Sequence, residues 1–128
     1  MVQIYKAPLS NIKYAYVETR KQYKSVLAEL GIPFDMIPEP PCAAHTQTMT
    51  NKRTVGKQTI TSTVCIVWML PTGDVMKDVV LLVHEATHIK QEIEDWMSED
   101  KFSPEVEAYI MQELVENLLS AYNAFHGG

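Results

Sequence analysis

His84-Glu85-Ala86-Thr87-His88 is the one stretch of this chain whose residue types and spacing suit chemistry. Two histidines four apart share one face of a helix, one turn apart. Their imidazole nitrogens can then meet on a single ion at about 2.0–2.1 Å each. A glutamate next to the first histidine sits beside that ion and can take a proton from water held there. The bland alternative is a pair of solvated histidines, or histidines paired with Glu92 or Asp95.

Such an ion needs a third protein ligand. The carboxylates of the following segment, Glu105, Glu107, Glu113 and Glu116, are the candidates. At about 100° per residue, Glu107 shares its face with Ile110, Met111, Leu114, Leu118, Tyr122 and Phe125. Glu105 and Glu116 point the other way, and Glu113 lies off the stripe. A carboxylate on an apolar face needs a partner. Either a metal held by His84 and His88 or a lysine such as Lys77 would serve.

The helices that must position these groups have readable limits. Asp74 caps a helix running to about Met97, with Val79, Leu82, Val83, Ala86, Ile89, Ile93 and Met97 on its apolar stripe. Ser103 and Pro104 form an N-cap and first-turn pair that opens another helix, to about Phe125. Ahead of both, residues 43–70 alternate in the manner of strands. Ile60, Val64, Ile66, Trp68 and Leu70 interleave with Thr59, Thr61, Thr63 and Cys65. Asn51 and Gly56 supply turn chemistry, so the stretch is expected to form a hairpin, part of a three-stranded sheet. At the N-terminus, Ile12, Tyr16, Tyr23, Val26, Leu27 and Leu30 fit a helix opening at Ser10 or Asn11 and stopped by Gly31 and Pro33. The expected class is α+β, in the order helix, strands, helix, helix, as one domain over residues 1–128.

LLVHEATHIKQ followed by SPEVEAYIMQELV resembles the zincin metallopeptidases, and within them the gluzincins. The eighteen residues between His88 and Glu107 match the HExxH-x18-E spacing of gluzincin aminopeptidases. The Glu-Ala-Tyr after the motif also resembles small stand-alone zincin-like proteins of phage genomes. The matching part covers roughly residues 75–120. The resemblance implies a minimal zincin-like fold, zinc on His84, His88 and Glu107, and Glu85 as general base and acid toward a peptide or protein substrate. It further implies a sheet edge that aligns the substrate beside the zinc helix. Thr61, Thr63 and Cys65 lie on a strand that could flank it.

One departure is the tyrosine or histidine that usually steadies the oxyanion. His45, His126, Tyr14, Tyr16 and Tyr23 are stand-ins among which the sequence does not choose. Tyr109 lies on the far side of its helix from Glu107. As plain structure, His45 reads as a polar strand residue and His126 as part of a frayed terminus. Trp68 and Trp96 read as packing residues. A second reading keeps the fold as a non-catalytic binding or structural module, for example a phage component, with a structural zinc. A third is a regulatory peptidase that cuts one docked partner.

Charge and composition narrow the field. Against 11 basic residues stand 16 acidic ones, giving a net charge of −5. That argues against nucleic acid and against anionic membrane as partners. No leader segment or membrane span is expected, and Cys42 and Cys65 are expected as free thiols, so a cytoplasmic protein is anticipated (host cytoplasm for a phage product).

Overall fold

The computed structural model describes residues 2–97 and 102–127. Its strands are β1 (Ile4–Lys6), β2 (Lys13–Val17), β3 (Ala44–Val55) and β4 (Gln58–Met69), and its helices are α1 (Arg20–Leu30), α2 (Val75–Trp96) and α3 (Pro104–Phe125). The fold is α+β. The sheet order is β1-β2-β4-β3, with β2 parallel to β4 and the other two pairings antiparallel.

The expected first helix is shorter than the periodicity suggested, and two strands precede it. Lys13–Val17 forms a strand buried at four of its five residues. Ile12, Tyr14 and Tyr16 face one core, and Ala15 and Val17 face the other. A strand covered on both faces shows no polar alternation, and residues four apart then mimic a helical stripe. The helix begins after Thr19, whose side chain and that of Gln22 form a reciprocal capping box. Gly31 ends it in the left-handed conformation at φ 70°, as its position predicts.

The hairpin is present, within four strands rather than three. Its strands close across Gly56 and Lys57, with Gly56 at φ 64°. Asn51, expected as turn chemistry, lies inside β3 opposite Ser62. Both faces of the sheet are covered, so Cys65, Val67 and Met69 are as buried as Val64, Ile66 and Trp68. Tyr23, Val26 and Leu27 of α1 pack on one face. On the other, α2 supplies Leu82, Ala86, Ile89 and Ile93, and α3 supplies Ile110, Leu114, Leu118 and Tyr122. Each such valine, leucine or isoleucine side chain contributes about 1.5–3 kcal/mol.

The two long helices match their sequence limits. Asp74 accepts from the amides of Met76 and Lys77, and Ser103 from that of Val106. Among the described residues, no helix is long and apolar enough to cross a membrane.

Candidate metal centre on the second helix

The buried stripe of α2 runs Asp78, Leu82, Glu85, Ala86, Ile89 and Ile93. Glu85 thus occupies a core position, 3% exposed, facing the sheet. His84 and His88 sit to one side of that stripe and are exposed, His84 with 67% of its side chain open. Their Nε2 atoms lie 3.3 Å apart, with the rings nearly perpendicular. Two nitrogens bound at about 2.05 Å to one tetrahedral ion would be about 3.3–3.4 Å apart. His84, Glu85 and His88 form the one group of three potential ligands, among the described residues, whose atoms converge closely enough for one ion.

Glu85 is held from across the sheet. Thr46 Oγ1 of β3 donates to Glu85 Oε1 at 2.8 Å, while Oε2 lies 4.0 Å from His84 Nε2. Ala44, His45, Thr46 and Thr48 of β3 and His84, Glu85, His88, Gln91 and Glu92 of α2 line a cavity of about 280 Å³. The strand beside the histidines is therefore β3. The strand of Thr61, Thr63 and Cys65, one that the sequence allowed as the flank while leaving the edge open, is β4 and is not the strand beside the histidines. From Val64 to Trp68, β4 lies between β2 and β3, so β3 is the sheet edge. Cys65 is buried within the sheet, its thiol pushed up to about 11 by burial, with Thr48 Oγ1 3.7 Å from its sulfur.

The ladder also shows what that edge offers. Val55 and Gln58 flank a two-residue turn, so they form a hydrogen-bonded pair, and such pairs then recur at odd residues of β3. The Leu70 amide donating to Ala43 oxygen at 2.8 Å fits this alternation. The amides and carbonyls of Thr46 and Thr48 consequently point away from β4, along the open edge.

Glu107 is not brought to the histidines. It faces α2, as the helical wheel requires, but on the opposite flank, where Lys90 Nζ lies 3.1 Å from its carboxylate and 3.2 Å from Glu94. The lysine that meets Glu107 is Lys90 rather than Lys77. Lys90 projects about 140° round the helix from the histidines. Burial disfavours the Lys90 ammonium, but the two carboxylates outweigh it and raise its pKa. Glu105, Glu113 and Glu116 lie outside the converging group as well.

Of the oxyanion stand-ins, His45 alone borders the cavity, but its ring lies on the α1 side of the sheet, away from the two histidines. Its ring meets Trp68 edge-on, 5.9 Å between centroids. Tyr14 accepts from Asn117 at 2.7 Å, its hydroxyl pushed up to about 12 by burial. Tyr23 packs on Trp68 on the α1 side of the sheet. Tyr16 donates to Glu18 at 2.5 Å. His126 is not part of a frayed end: its Nε2 lies 2.6 Å from the same Glu18 and its ring rests on Tyr122. Tyr122 and Phe125 pack on Tyr16, which ties the end of α3 down. Tyr109 is 64% exposed, on the outer face as expected. Trp68 is core, whereas Trp96 stands half exposed at the end of α2.

Thr46 is the site residue that sequence reasoning missed. Its only signal is membership of a Thr-rich alternating run, which does not single it out. Comparison with models of known families, with curated proteins and with solved structures found no match to this chain.

Proposed function

We propose that the chain is a zinc-dependent hydrolase of peptide bonds, with His84 and His88 as metal ligands and Glu85 as general base and acid. The observation that carries this reading is the 3.3 Å convergence of two exposed histidine nitrogens beside a buried, hydrogen-bonded carboxylate. Zinc bound there would act as a Lewis acid and lower the pKa of a water toward ~7. The chain's own part is to hold and move the proton. Glu85 Oε2, on the histidine side, takes it and later passes it to the leaving amine. The outward amides and carbonyls of Thr46 and Thr48 can pair with an extended peptide and lay it across the histidines. The cavity between β3 and α2 is lined mainly by polar groups and suits a backbone more than an apolar ligand.

A purely structural zinc is the weaker alternative. Closed structural sites use four protein ligands, and the exposed flank of His84 leaves positions open. The ligand that the resemblance implies from α3, Glu107, would have to exchange Lys90 for the ion.

The first test is metal content of protein purified without an affinity tag. About one zinc per chain is expected, and none in His84→Ala. A wild-type protein that neither carries nor takes up zinc would sink the reading.

A further inference from the structure

We infer that Thr46 is a positioning residue for Glu85, anchoring one carboxylate oxygen and so holding the other toward the histidines. This rests on the metal-site reading above. Glu85 is buried, yet a carboxylate offers about four acceptor sites and the single hydrogen bond to Glu85 comes from Thr46, among the described residues. That bond engages Oε1 and leaves Oε2 toward His84. Without it the side chain has no polar contact to choose between its rotamers, and the proton-accepting oxygen is no longer held in place. The bond also spans 39 residues of sequence, from the edge strand to the core of α2. The backbone of this same Thr46 faces the open edge, so one residue joins the surface that would receive a peptide to the group that would move its proton.

The test uses full-length wild type, Thr46→Val and Thr46→Ser, each loaded with Co²⁺ and titrated with acetohydroxamate. That probe binds a metal through two oxygens and gives its N–O–H proton to a neighbouring carboxylate. The visible spectrum of Co²⁺ reports both metal uptake and probe binding. All three proteins are expected to bind one Co²⁺. Thr46→Val should bind acetohydroxamate about tenfold more weakly, because the carboxylate that accepts the probe's proton is no longer held in place, and Thr46→Ser, which keeps the hydroxyl, should stay within about threefold of wild type. Wild-type affinity in Thr46→Val, or no recovery in Thr46→Ser, would overturn the assignment. If Thr46→Val does not fold, as judged by its thermal melt, Thr46→Ala replaces it with the same expectations. Failure of the underlying metal site reads differently: wild type itself would take up no Co²⁺, and both ideas would fall together.

Discussion

Two buried carboxylates stand on the same face of α2, two turns apart, and they live in opposite circumstances. Asp78 is fully buried and accepts three hydrogen bonds, from the Thr72 amide at 2.9 Å, the Thr72 hydroxyl at 2.8 Å and the Tyr122 hydroxyl at 2.7 Å. Glu85 is nearly as buried and accepts one, with its other oxygen turned toward two histidines. Burial alone does not separate a structural acid from a reactive one. Saturation does. A carboxylate whose acceptor sites are taken up by the fold has little left for a substrate or a proton, whereas one left partly free beside two converging histidine nitrogens keeps capacity for chemistry.

The comparison can be broken by mutating its two members. Glu85→Gln should lower peptide hydrolysis by about 10²–10⁴-fold, the usual worth of a general acid–base group. Zinc content should be unchanged, and stability should move by no more than about 1 kcal/mol. An active Glu85→Gln protein would remove the functional half of the contrast. Asp78→Ala should do the reverse. It strands the Thr72 amide and the Tyr122 hydroxyl, at a cost of about 2–4 kcal/mol in urea unfolding, with zinc still bound by the folded protein.

Acid sharpens the same point. Burial pushes the Asp78 carboxyl up, but the hydrogen bonds from Thr72 and Tyr122 outweigh it and hold its pKa below the usual carboxylate value. Its stabilisation is therefore fully present above the unfolded-state pKa of about 3.9 and is lost as pH falls below that through the folded value. Asp78→Ala should flatten the acid limb of the stability profile below about pH 4. An unchanged limb would show that other groups govern it.

The smallest effect concerns the other flank of α2. The Lys90–Glu94–Glu107 cluster is self-satisfied, and Glu107 is 37% exposed. Glu107→Gln should cost about 0–1 kcal/mol, as partly exposed ion pairs do, and zinc content tells whether Glu107 takes part in the site. Loss of zinc in that variant would return Glu107 to the site as the ligand that the resemblance implies.

Much of the scaffold was legible because its signals are local. Asp74 and Ser103-Pro104 mark helix starts through hydrogen bonds made within three residues. The stripes of α2 and α3 follow the helical period, although Val83, expected on the α2 stripe, is 39% exposed while Glu85 is buried. The same period misled at residues 12–18. There a strand buried on both faces by α1 and α3 offered no alternation, and Ile12 and Tyr16 fell into apparent helical register with Tyr23. His126 was misread for a similar reason, since its partner Glu18 is 108 residues away.

By itself the sequence determined the histidine pair of the candidate site. HExxH on a helix puts His84 and His88 one turn apart whatever surrounds them, because the spacing and the helical rise decide it. It also determined that Glu107 faces α2. Only the tertiary structure decided which group meets Glu107, that β3 rather than β4 forms the open edge, and that Thr46 grips Glu85. Those outcomes depend on strand order and on helix–helix packing. They join residues tens of positions apart, and a local pattern carries no record of such pairings.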